Sequence, residues 1–230
     1  MSTSPMHSSS WRMSLFMPAL LGIWCVVVGI LQSTEAATRE FGLIEISQFA
    51  VWFLSAAIAC MLAARPGPAP TRLVLLWLGV VALICGAREL DVHLWIAPHN
   101  FGEWGMRFKL NWWTDLSVPL APKILWGAIG LCILAALTLP LAFARLNPIR
   151  RLRLGMPDTW LFAIAVVFLG LGGVFDDLLR EALSDEPRKL AEETTESLGA
   201  GFFFSSVLTA YRISRPGKQV SQADADTSDT

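Results

Sequence analysis

Long apolar runs without a single charge recur along this chain, and they restrict it to very few folds. Residues 14–31, 73–85 and 160–175 contain no Asp, Glu, Lys or Arg. A membrane-crossing helix needs about 20 mainly apolar residues. Hydrocarbon offers no partner to a backbone amide or carbonyl, so such runs must be helical. Composition agrees: 16% of residues are charged and 54% hydrophobic, against roughly 25% charged in soluble domains. The expected fold is all-α, an integral membrane bundle of about six transmembrane helices.

The expected spans cover residues 14–31, 42–64, 73–90, 119–144, 160–175 and 196–213. Residues 1–13 form a polar, disordered N-terminus, 14–213 the transmembrane domain, and 214–230 a disordered tail. Residues 95–118 carry Trp95, Trp104, Trp112 and Trp113 with Arg107 and Lys109, and are expected to lie in the interface, where indoles prefer the headgroup level. A removable signal segment is the alternative for the first run, with Ala36 and Ala37 at a cleavage site. Glu45, Gln48, Trp52, Ser55 and Ala59 fall at helical spacing and share one face, which should point into the bundle. Gly170, Gly172 and Gly173 should let a neighbouring backbone approach. Residues 181–195 read as a charged connector.

Arg12, Arg65, Arg72, Arg145, Arg150, Arg151, Arg153, Arg212, Arg215 and Lys218 gather on one side of this arrangement. The positive-inside rule makes that side cytoplasmic, with both termini there and the chain in the inner (plasma) membrane. A net charge of −1 provides no field to attract nucleic acid, so the lipid bilayer is the expected partner, with a membrane-protein partner as an open alternative. Cys25, Cys60, Cys85 and Cys132 each fall alone in a different apolar run, as small hydrophobes do.

The unusual residues converge on the opposite, outward side. Glu45 and Gln48 open the second span. Arg88, Glu89, Asp91 and His93 close the third, and Lys123 opens the fourth. Asp176, Asp177 and Arg180 close the fifth, and Glu193 and Glu196 open the sixth. Carboxylates on one helical face repel unless a cation sits among them. Arg88 or Lys123 can be that cation, and so can a divalent metal held by Glu89, His93 and Glu196, a ligand set that suits zinc, manganese or iron. Arg188 and Lys189 lie in the connector and are expected to be solvated. The competing readings are solvated helix ends and a salt-bridged clamp.

The stretches Arg88-Glu-Leu-Asp and Glu192-Glu-Thr-Thr-Glu-Ser-Leu-Gly resemble motifs of a family of uncharacterised bacterial polytopic inner-membrane proteins. The resemblance covers about residues 40–213 and implies the multi-span architecture but no activity. Three function classes follow from the residues: an outward cluster that binds a cation, metal or polar head group; a non-catalytic membrane subunit or scaffold; and a membrane-embedded metal-dependent hydrolase of a lipid-type substrate.

Overall fold

A computed structural model describes residues 8–31, 42–90, 113–114, 116, 118–143, 146–175, 179 and 182–214. Helix is the only regular structure among them. The helices are α1 (Ser8–Leu31), α2 (Leu43–Ala63), α3 (Ala69–Glu89), α4 (Leu120–Ala142), α5 (Pro148–Arg153), α6 (Pro157–Gly173) and α7 (Asp185–Ser214).

Four of these are long and apolar enough to cross a membrane: α1, α2, α3 and α4 over Leu120–Pro140. That is fewer than the six expected. α6 is apolar but has only 17 residues. α7 is long enough, yet its first half is charged, so its apolar portion does not stand out. From Asp185 onward, the expected connector and last span are in fact one continuous helix of 30 residues. Pro187 sits in the first turn, where its missing N–H costs nothing. Beyond it come good helix formers, and Arg188 approaches Asp185 at 3.4 Å and Glu192 at 3.6 Å along the helix, so no breaker separates the two halves.

α7 is the central element. It packs most extensively on α6 and α1, then on α2 and α3. Two glycines show how close these approaches are. A Cβ on Gly201 would lie 2.8 Å from the Pro18 backbone of α1, and one on Gly199 would lie 2.9 Å from Leu169 of α6. The core is tied by an aromatic chain through four helices: Trp52 of α2 meets Phe203 of α7 at 5.0 Å, Phe203 meets Phe162 of α6 at 6.0 Å, and Phe162 meets Trp77 of α3 at 5.1 Å. Tilted and edge-on pairs like these contribute about 0.5–1.5 kcal/mol each beyond simple contact. Trp77 Nε1 also donates to the Ala136 carbonyl of α4 at 3.1 Å. The expected inward face of α2 is seen directly, since Gln48, Trp52, Ser55 and Ala59 are all buried.

Outward faces are apolar instead. Phe16, Ile23, Phe53, Met61, Leu131 and Val167 are exposed, a pattern that fits a hydrocarbon solvent rather than water. Of the expected interfacial segment 95–118, Trp113 is described: it packs with Trp126 of α4. The rest of that segment lies almost wholly outside the described residues, as do 1–7 and 215–230.

Candidate functional site

The C-terminal end of α3 delivers Arg88. Helix C-termini carry partial negative charge and favour a cation there. From this position Arg88 Nη2 donates to Glu196 Oε1 of α7 at 2.8 Å, and Arg88 Nη1 lies 3.9 Å from Glu89 Oε1. Both carboxylates are nearly enclosed, with side chains 8% and 7% exposed for Glu89 and Glu196, whereas that of Arg88 is 62% exposed. The guanidinium therefore joins two carboxylates from different helices while its own far side stays open.

α2 contributes the other half. Gln48 is fully buried. Its Nε2 donates to the Glu193 carbonyl at 2.8 Å, to Glu193 Oε2 at 3.0 Å and to Ser197 Oγ at 2.9 Å. Two amide hydrogens are thus shared among three acceptors of α7. Gln48 Oε1 is buried without a hydrogen-bond partner among the described residues. Glu45, half-buried one turn earlier on α2, acts electrostatically on both Glu89 and Glu193. Burial, reinforced by Glu196, Glu192 and Glu45, pushes the Glu193 carboxyl up to about 8, and the Gln48 hydrogen bond opposes that rise.

Close packing fixes Glu196. A Cβ at Gly172 of α6 would lie 2.7 Å from Glu196 Cγ, so the carboxylate arm runs along a surface only glycine leaves free. Of the three glycines expected to allow close approach, Gly172 does so, whereas Gly170 and Gly173 face nothing within 4 Å.

The structure thus brings together Glu45, Gln48, Arg88, Glu89, Glu193 and Glu196 from α2, α3 and α7. Asp91, His93, Asp176, Asp177 and Arg180 lie outside the described residues. Lys123 stands half-buried in the first turn of α4. One expectation is corrected. Arg188 is not a solvated connector residue: it is 3% exposed and turned onto Asp185 and Glu192, because the connector is helical and packs against the bundle. The carboxylates of α7 are consequently divided, Glu192 facing Arg188 of its own helix and Glu196 taking Arg88 from α3. Ser197 was not anticipated; its signal is its position one turn beyond Glu193 on the same face.

As for a metal, among the described residues no group of three or more His, Cys, Asp and Glu side chains is arranged to hold one. Of the expected ligands Glu89, His93 and Glu196, the imidazole lies outside the described residues. The four cysteines are free thiols.

A second polar cluster was missed by sequence reasoning, which counted Arg151 only as a surface charge. Asp158, at the first turn of α6, is 2% exposed. It is paired tightly with Arg151 of α5, and Arg151 Nε donates to Thr159 Oγ1 at 3.2 Å. Ser206 of α7 donates to the Asp158 carbonyl at 2.8 Å. Asp158 Oδ1 is buried without a hydrogen-bond partner among the described residues. It borders a small cleft of about 20 Å³ between α3, α5, α6 and α7, room for roughly one water.

Comparison with protein-family models, with curated proteins and with solved structures finds no match. The chain is therefore described by its own geometry: over the described residues it is all-helical, with four candidate membrane-crossing helices and a buried polar cluster linking three helices.

Proposed function

We infer that the chain is a six-span membrane protein, with α6 and the second half of α7 as the additional crossings, whose outward polar cluster binds a positively charged ligand. The observation that carries this reading is the convergence of carboxylates from three helices on one stretch of α7. Glu45, Glu89, Glu193 and Glu196 act on one another, and Arg88 is paired with two of them. The buried, unpartnered Gln48 Oε1 is a further acceptor beside them. Carboxylates and an amide oxygen together suit an ammonium group, and no group of three acids, thiols or imidazoles among the described residues is arranged for a metal.

The test titrates ethylammonium, Mg²⁺ and Mn²⁺ against the full chain in mild detergent and follows thermal unfolding. Ethylammonium should raise the midpoint in the wild type more than Mg²⁺ or Mn²⁺ does, and Glu193→Gln should abolish the shift. No shift with any of the three removes the binding reading. Reporter fusions after Pro68, Asn100 and Pro148 test the six-span topology, with Pro68 and Pro148 expected inside and Asn100 outside. A second reading, a membrane subunit, is supported by α4. Only 6% of its apolar window is buried, against 39% for α2 and for α3, which leaves most of its surface for lipid or for a partner helix.

A further inference from the structure

The far end of α7 carries a feature that the acidic cluster does not use. A groove of about 470 Å³ runs between α1 and α7. Phe16 and Met17 of α1 and Phe204 and Leu208 of α7 give it apolar walls, and Arg212 closes one end. Hydroxyls line it too: Ser205 is buried, and Ser14 and Thr209 hydrogen-bond to each other at 3.3 Å across the two helices. The groove is therefore amphipathic along its length, apolar between the helices and cationic at the mouth.

A second arginine lies beside that mouth. Tyr211, next to Arg212, accepts a hydrogen bond from Arg65 Nη1 at 2.8 Å and lies under the same guanidinium. Arg72 donates to the Ala63 carbonyl at 2.9 Å. Neither Arg65 nor Arg72 forms a salt bridge with a carboxylate among the described residues. The chain here offers a slot lined by hydrocarbon-compatible side chains, with guanidinium and hydroxyl donors at one end.

We propose that this α1–α7 groove binds one anionic phospholipid, its phosphate taken by Arg212 with the Ser14 and Thr209 hydroxyls and one acyl chain lying along Phe16, Met17, Phe204 and Leu208. Arginine suits a phosphate through its planar fork of donors. Apolar chains already bathe the neighbouring faces, since Phe16 is 64% exposed, so the acyl chain enters the slot without leaving a hydrocarbon environment. The acidic outward cluster has no part in this assignment.

The experiment is native mass spectrometry of the full chain from detergent, with phosphatidylglycerol or phosphatidylcholine of matched acyl chains added, alongside thermal unfolding. A 1:1 adduct with phosphatidylglycerol that is at least fivefold more abundant than that with phosphatidylcholine is expected, about the effect of a single arginine near a lipid surface. Arg212→Gln should remove that preference. Leu208→Trp, which fills the slot from a half-buried position, should reduce binding of both lipids. Equal binding of the two lipids, protection by inorganic phosphate alone, a dimer mass in place of the lipid adduct, or an unchanged preference in Arg212→Gln each overturns the proposal.

Discussion

The Arg88–Glu196 contact has one exposed and one enclosed partner, and that asymmetry dictates what its removal does. Breaking a fully buried pair costs about 3–5 kcal/mol, and an exposed pair is worth about 0–1 kcal/mol. Arg88→Met leaves Glu196, 7% exposed, as an enclosed carboxylate beside Glu89 and Glu193 without its guanidinium, so a loss of about 2–3 kcal/mol is expected. Glu196→Gln leaves a guanidinium that is 62% exposed and can be hydrated, and the new amide keeps an acceptor in place, so a loss of about 1 kcal/mol or less is expected. The double variant should resemble Glu196→Gln, which gives a coupling of about 2–3 kcal/mol, the whole loss of Arg88→Met. Denaturant titration in detergent at neutral pH reads all four states. Additive losses, or Glu196→Gln costing more than Arg88→Met, would refute the idea that Arg88 balances an enclosed carboxylate.

Glu193 gives a pH dependence. Its carboxyl is raised from 4.5 to about 8, so between those values the unfolded chain binds fewer protons there, and stability should fall as pH rises from about 4.5 to about 8; Glu193→Gln should flatten that slope in detergent melts. Gly201→Val would drive a side chain into the Pro18 backbone, 2.8 Å from the position of its Cβ, and should lose about 1–3 kcal/mol or fail to fold, as judged by size-exclusion profile and midpoint. Gly155, in the turn between α5 and α6, has φ +70° with open space around it, so Gly155→Ala should lose only the backbone term of about 1–2 kcal/mol, and an unchanged midpoint would contradict it. Asp158→Ala removes the partner of Arg151 and should lower the midpoint more than Arg150→Ala, whose residue is exposed on the same short helix.

Sequence pattern revealed the helices because a bilayer-length apolar run can be little else. The inward face of α2 was equally readable, since Gln48, Trp52, Ser55 and Ala59 fall at helical spacing and are all enclosed. What pattern could not show is continuity. The acidic first half of α7 looks like a solvated connector by composition, yet its Asp185–Arg188 and Arg188–Glu192 contacts are formed within the helix itself. The cross-helix partners were only partly legible. That Arg88 would meet a carboxylate of the last helix follows from charge balance, whereas the choice of Glu196 depends on a gap at Gly172 that only packing reveals. Asp158 and Arg151 were invisible as a cluster, because the turn and short helix between them have to fold before they meet.

Helix lengths account for where the polar cluster forms. α7 has 30 residues, about 45 Å at 1.5 Å per residue, against a hydrocarbon thickness of about 30 Å. α3 has 21 residues, about 32 Å by the same rise, and stops just beyond Arg88. A helix that ends beside one that continues leaves its last carbonyls and its terminal cation facing the flank of the longer helix. On the six-span reading, Arg88 occupies that step, Glu196 is the first acid of α7 it can reach, and the turns of α7 before Glu196 run on past the end of α3. Gln48, near the start of α2, meets the same level of α7 through Glu193 and Ser197. The cluster therefore sits where two shorter helices terminate against a longer one, which concentrates helix-end charge on one stretch of α7. If the lengths set the site, inserting one helical turn of alanine in α7 between Lys189 and Leu190 should leave Arg88–Glu196 coupling intact, because both partners lie C-terminal to the insertion or on another helix, while displacing Arg188 and Asp185 from their present level. Loss of the coupling in that variant would show that the connector half of α7, and not the step between helix ends, holds the pair in place.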